Sequence, residues 1–181
     1  MKLLIASDIH GDIESTRIII DAYKENKCDK ILLLGDILYH GPRNDLPGRY
    51  APKEVISLLN EYKDRILSVR GNCDTEVDQM VLEFPVLADY AVLSLDGLTL
   101  YATHGHNYNT KTPPPLAKGD ILVHGHTHVI RCDKFGDENT YINPGSITIP
   151  KENCPRSYII YENRVFNFYD AQHRSIKSIS F

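Results

Sequence analysis

The sequence predicts an α/β protein in which two β-sheets pack together with helices outside. In the first half, short apolar runs alternate with segments of helical periodicity, the strand–helix–strand–helix–strand pattern of a parallel sheet. In the second half, paired runs separated by short polar turns indicate antiparallel hairpins. No internal repeat interrupts this order, and no linker divides it.

Leu3-Leu4-Ile5-Ala6 is a continuous apolar run, as a strand buried on both faces requires. Ile13, Ile18, Ile19, Ala22 and Tyr23 then fall at helical spacing. Ile31 to Leu34 is a second buried strand, Val55, Ile56, Leu58, Leu59 and Tyr62 mark a second helix, and Ile66 to Val69 is a third strand. Tyr90 to Leu95 and Leu98 to Thr103 flank Asp96-Gly97 as a hairpin. Ile121 to Val123 is a short strand, Tyr158 to Tyr161 and Arg164 to Tyr169 form a hairpin across Glu162-Asn163, and Ile176, Ile179 and Phe181 mark a final edge strand. Pro113-Pro114-Pro115 is a rigid turn too short to separate domains, so residues 1–181 are read as one domain. Leu38 to Pro52 is long, irregular and rich in proline. Loops of this kind in compact domains are usually functional or disordered, and a rim or lid is expected here.

The 42% apolar content suffices for one sizeable core. A formal charge of −4 argues against stable nucleic-acid binding, which usually needs a basic face. The 4 cysteines form no C-x-x-C pair, so a zinc ribbon, a redox motif or a disulfide framework is not expected. The N-terminal apolar run is too short for a signal-peptide core or a membrane span. A soluble cytoplasmic protein with reduced thiols is the expectation. The C-terminal strands could supply an edge contact for a homo-oligomer.

The polar residues that stand out each follow an apolar strand. Asp8 and His10 follow the first, Asp36 the second and Asn72 the third; His104 and His106 follow Leu98 to Thr103, and His124, His126 and His128 follow Ile121 to Val123. In open α/β sheets, ligands bind at the carboxyl ends of strands, and parallel strands point those ends the same way. Taken singly, each piece has a bland reading. Asp8-x-His10 could be a turn with a helix cap, and Asp36 or Asn72 could be turn chemistry. Gly125-His126-x-His128 is stronger, because alternate residues of an extended segment can grip one ion. Carboxylate, imidazole and amide donors suit Mn, Fe, Zn or Mg, and they exceed what one ion needs.

Asp8-x-His10, Gly35-Asp36, Gly71-Asn72-x-Asp74, His104-Gly105 and Gly125-His126-x-His128 resemble, in order, the motifs of the calcineurin-like metallophosphoesterase superfamily. The run from Gly35 to Asn44 is similar to that of its small bacterial YfcE-type phosphodiesterases. The resemblance implies a four-layer αββα sandwich of two mixed sheets flanked by helices. It also implies two divalent metal ions, manganese first, with Zn, Ni, Fe or Mg as alternatives. Asp8, His10 and His128 would hold one ion, Asn72, His104 and His126 the other, and Asp36 would bridge them. A bridging hydroxide would attack a small phosphodiester, with Asn72 also touching the phosphate.

Many members carry Gly-Asn-His at the third motif; here Cys73 stands in place of the histidine. A thiol is a weak hydrogen-bond donor, so catalysis should lean on metals and good leaving groups. Asp74 could orient a ring in the histidine version and here could cap a helix. Cys73 itself would need a depressed pKa to act as nucleophile. His40, Arg43 and His106 are candidate substrate contacts, a guanidinium matching phosphate geometry. His124 could support a ligand through a hydrogen bond, and Asn143-Pro144-Gly145-Ser146 resembles a structural turn of the family. Two other readings compete: a phosphomonoesterase of the same architecture, and a non-catalytic metal-binding scaffold resembling the retromer vacuolar-sorting subunit. Hydrolysis rates on aryl diesters and monoesters separate the first pair; retention of the full ligand set speaks against the scaffold.

Overall fold

The structure is a computed structural model that describes residues 1–181. Its elements run β1 (Leu3–Ala6), α1 (Ile13–Glu25), β2 (Lys30–Leu33), α2 (Pro52–Asn60), β3 (Ile66–Ser68), α3 (Glu76–Val81), β4 (Tyr90–Leu95), β5 (Leu98–Thr103), β6 (Ile121–His124), β7 (Ile130–Phe135), β8 (Asn139–Pro144), β9 (Ser157–Glu162), β10 (Val165–Asp170) and β11 (Ser175–Ser180). They build two mixed sheets, ordered β11-β10-β9-β1-β2-β3 and β4-β5-β6-β8-β7. β1, β2 and β3 are parallel in the first sheet, as are β5, β6 and β8 in the second.

Alternation along β1 divides the core. Leu4 and Ala6 face one apolar cluster with Ile19 and Ile20 of α1 and Val55 and Leu59 of α2. Leu3 and Ile5 face the other, between the sheets, with Leu100, Ile121, Ile142 and Phe166. Both faces are dry, so β1 and β2 read as unbroken apolar runs. Each such Leu or Ile contributes roughly 1.5–3 kcal/mol by burial. The α/β class, the two mixed sheets and the flanking helices match the sequence expectation.

Helix α1 begins at Asp12, whose carboxylate accepts the Ser15 N–H at 2.7 Å. Its other oxygen accepts the Arg49 N–H at 3.2 Å, pinning the irregular segment between β2 and α2. Pro52 opens α2, where a missing N–H costs nothing.

One local expectation needs correction, and two elements were not expected. The β9–β10 turn is Asn163-Arg164, one residue later than Glu162-Asn163, and both turn residues have positive φ. The β7–β8 hairpin was not read from the sequence. Nor was α3, which buries none of its own residues and so shows no core-facing stripe.

Candidate metal centre

The parallel strands β1, β2 and β3 deliver Asp8 and His10, Asp36, and Asn72 to one end of the first sheet. β5 and β6 deliver His104, His126 and His128 from the second. The structure thus converges the seven residues on one site. His128 Nε2 lies 3.1 Å from Asp8 Oδ1, and His10 Nε2 lies 3.7 Å from the same oxygen. Across the site, His104 Nε2 lies 3.1 Å from Asn72 Oδ1 and 3.2 Å from His126 Nδ1. Between the groups sits Asp36, its Oδ2 being 3.8 Å from His10 Nε2 and 3.5 Å from His104 Nε2.

Backbone carbonyls fix the tautomers. The Nδ1 atoms of His10, His104 and His128 lie 2.8, 2.7 and 2.8 Å from the carbonyl oxygens of Tyr39, Leu34 and Ile149. A carbonyl only accepts, so each Nδ1 carries a proton and each ring turns its Nε2 inward, where that atom can ligate once free of any proton of its own. His10 Nε2 and His128 Nε2 approach to 3.5 Å, both aimed at a common point. Asp8 Oδ1 is buried with no hydrogen-bond donor. Converging ring nitrogens beside an orphaned carboxylate oxygen fit a divalent cation.

The charges agree. Burial alone would raise the Asp8 pKa, but His10 and His128 outweigh it and hold the carboxylate well below its usual range. Burial alone would lower His104, but Asp36 and Asp8 outweigh it and raise its pKa to about 9. His126 is depressed to about 4 by burial and then by His104, so it stays neutral and able to ligate.

The backbone is held in an uncommon conformation. Asp8, His10, Asp36, His126 and His128 all have φ between 50° and 64°. Left-handed backbone is costly for residues with a Cβ and persists where the surroundings over-determine it, often at functional sites. Two glycines permit the close packing. A Cβ on Gly71 would lie 2.1 Å from Asp36 Oδ1, and one on Gly125 would lie 1.9 Å from Ser7 Oγ.

Asp74 neither orients a ring nor caps α3, which is capped by Thr75 with Asp78. Its carboxylate accepts the backbone N–H groups of Asp36, Ile37 and Gly71 at 2.8, 2.9 and 2.7 Å, tying the ends of β2 and β3 together. The Cys73 thiol is pushed far above its usual pKa by burial and then by Asp36. A nucleophilic role for it has no support, since the thiolate is the reactive form.

The remaining candidates divide. His106 stands beside the second group, its ring centroid 5.4 Å from that of His104 and 6.2 Å from that of His126. His40 packs edge-on against Tyr39 and Tyr50, at 4.8 and 5.3 Å, and bonds none of the seven. Arg43 is exposed on the same segment and bonds none of the seven. His124 stacks on Tyr141 at 4.2 Å. Sequence reasoning missed how much residues 143–149 do. Asn143 Nδ2 donates to the Gly125 carbonyl at 2.9 Å, and Ser146 Oγ donates to the Asp8 carbonyl at 3.0 Å. Thr148 Oγ1 donates to the Ile9 carbonyl at 2.8 Å. The Asn-Pro-Gly-Ser turn, read as structural, thus clasps both metal-facing loops.

A family profile for the calcineurin-like phosphoesterase superfamily domain matches residues 1–164, and the chain belongs to that superfamily. It is 42% identical over 176 residues to Phosphodiesterase YfcE of Escherichia coli strain K12, covering 97% of this chain and 95% of that one. A solved structure of YfcE, a phosphoesterase from E. coli, matches with TM-score 0.95 and 40% identity over 99% of both chains. Vacuolar Protein Sorting 29 from Cryptosporidium parvum shares the fold at TM-score 0.64 and 18% identity, covering 99% of this chain and 98% of that one. Membership implies divalent metal ions, and this chain offers the donor groups for them. No helix is long and apolar enough to cross a membrane.

Proposed function

We propose that residues 1–181 act as one unit that hydrolyses small phosphodiesters with two divalent metal ions, manganese first, in the cytoplasm. The observation that carries this is Asp36, a carboxylate placed between two groups of inward-facing donors. Asp8, His10 and His128 would hold one ion, Asn72, His104 and His126 the other, with Asp36 shared. Bound there, the pair supplies Lewis-acid charge and lowers the pKa of a shared water towards neutrality, which makes hydroxide available as nucleophile. Zn, Ni, Fe and Mg suit the same donors.

The chain's own residues supply the rest. Asn72 presents its amide at the edge of the site, donating to Cys73 Sγ at 3.2 Å and free to turn that donor to a phosphate oxygen. His106, its pKa lowered by burial and then by His104, stays neutral and can donate to the same phosphate. His40 and Arg43 would contact the substrate only from the rim. The protonated Cys73 is a weak donor to a leaving group, which favours esters that leave without a proton.

Charge favours a diester over a monoester. The residues that pair with Asp8 and Asp36 are histidines, and Arg70 instead meets Glu76 and the Asp74 carbonyl. A diester brings one negative charge where a monoester brings about two. Metal-stripped protein should hydrolyse an aryl phosphodiester only after manganese is restored, and Asp36→Asn should abolish that turnover. Full activity of Asp36→Asn with both ions bound would defeat the bridging assignment.

A further inference from the structure

A cavity of about 420 Å³ lies between the Leu38–Pro52 segment, α2 and α3, lined by Leu38, Tyr39, Tyr50, Ile56, Cys73 and Val77 among others. Its volume is in the range of small-molecule sites. The lining is mostly apolar, yet Tyr39 is 41% exposed and Val77 67%. Tyr39 and Tyr50 stand edge-on about His40, so part of the wall is aromatic.

The cavity abuts the metal centre through two shared residues. The Tyr39 carbonyl accepts the His10 Nδ1–H, and Cys73 donates its N–H to Asp36 Oδ1, each at 2.8 Å. Cys73 Sγ lies within 4.8 Å of donor atoms of both His10 and Asp36. The Cys73 side chain is thus shared by the cavity wall and the surroundings of His10 and Asp36.

We infer that this cavity is the subsite for an aromatic ester substituent of the phosphodiester, an assignment that rests on the proposed function. A phosphodiester carries two organic groups. One held against Tyr39, Tyr50, Ile56 and Val77 removes its own apolar surface and theirs from water while its phosphate stays on the ions.

The test measures binding apart from turnover. Calorimetric titration of manganese-loaded protein with methylphosphonate, phenylphosphonate and 1-naphthylphosphonate should give affinity rising with the ring, by about tenfold or more from methyl to naphthyl. Val77→Asp, on an exposed face of α3, should remove that preference while leaving methylphosphonate affinity and the melting temperature unchanged. Val77→Trp, which fills the cavity without adding charge, should do the same. Equal affinities for the three probes would overturn the assignment, as would a naphthyl preference untouched by both variants. If the wild type is a dimer that Val77→Asp splits with no change in naphthyl affinity, the face belongs to a second copy of the chain and the subsite falls. A naphthyl preference without diester turnover keeps the subsite and rejects the enzymatic reading. Loss of both phosphonate binding and turnover removes the two together.

Discussion

The Asp74 carboxylate accepts the backbone N–H of Asp36 at 2.8 Å, while the neighbouring Cys73 N–H donates to the Asp36 side chain at 2.8 Å. Asp36 is thus gripped at both its backbone and its carboxylate by one short loop. Asp74 is 2% exposed and receives three N–H groups in all. Hydrogen bonds to a buried charge are worth about 1.5–3 kcal/mol each, offset by the cost of burying it. Asp74→Ala should lower stability by roughly 2–4 kcal/mol. It should also weaken manganese binding about 10–100-fold, the usual effect of losing support for metal ligands. Calorimetric melting and manganese titration check both. Unchanged metal affinity would reduce Asp74 to a fold anchor.

Asp74 also gives a pH signature. Burial, opposed by its N–H bonds and assisted by Asp36, raises its pKa to about 6 from an ordinary 3.8. The folded state then binds the proton more tightly than the unfolded chain. Its stabilising contribution is complete below about pH 4 and is lost as pH rises through about 6. Asp74→Asn should flatten that part of the stability profile of metal-free protein. An identical slope in wild type and variant would show that another group governs it.

The two close-packed glycines separate crowding from backbone strain. Neither Gly71 nor Gly125 has positive φ, so alanine is acceptable to the backbone at both. The added Cβ would nevertheless fall 2.1 Å from Asp36 Oδ1 in one case and 2.7 Å from Asp8 Oδ2 in the other. Displacing a reacting group by about 1 Å can cost about 100-fold. Gly71→Ala and Gly125→Ala should lose diester turnover on that scale, whereas Gly48→Ala, with open space around it, should not. Equal kinetics for all three would mean that the ligand loops are looser than the packing implies.

The strand ends, the seven converging residues and the parallel-then-antiparallel order were legible because each depends on a short local pattern. Leu3 to Ala6 announces a doubly buried strand, and whatever follows lies at its carboxyl end. The role of Asp74 was not legible, because two of its three partners are backbone groups from a loop more than 30 positions earlier, and backbone N–H groups leave no mark on a sequence. The β7–β8 hairpin was hidden for a related reason. β7 is an edge strand with no fully buried side chain, while β8 buries Asn139, Thr140 and Asn143 among its apolar residues. Neither presents the apolar alternation that identifies a strand.

Cys73 makes a separate prediction. Its thiol stays protonated across the working range, so loss of the sulfur should not remove a nucleophile. Cys73→Ser should keep diester turnover close to wild type. Cys73→His should change the dependence on leaving group, because imidazolium donates a proton where a thiol does not. Rates plotted against leaving-group pKa for a series of aryl esters measure this. A Cys73→Ser protein with no turnover and intact metal binding would reinstate a chemical role for the thiol.

His104 yields the prediction that bears most directly on metal uptake. In metal-free protein its pKa is raised to about 9, burial being outweighed by Asp36 and Asp8. Near pH 7.5 the ring is therefore protonated, with Nδ1–H on the Leu34 carbonyl and Nε2–H directed at Asn72 and Asp36. A divalent ion that takes Nε2 must displace that proton, because ligation needs the lone pair. Manganese added to metal-free protein in weak buffer should release close to one proton from this group, and His104→Ala should remove that share of the release. The linkage also fixes a stability window. The contribution of protonated His104 is complete below its ordinary pKa of 6.5 and is lost as pH rises through about 9, so chelated protein should melt at falling temperatures across that interval. Loaded protein should not, because the cation has already replaced the proton and affinity for the ion grows as competition from protons fades. If uptake releases no proton near pH 7.5, the ions do not enter through His104 Nε2, and the second ligand group would have to be redrawn without it.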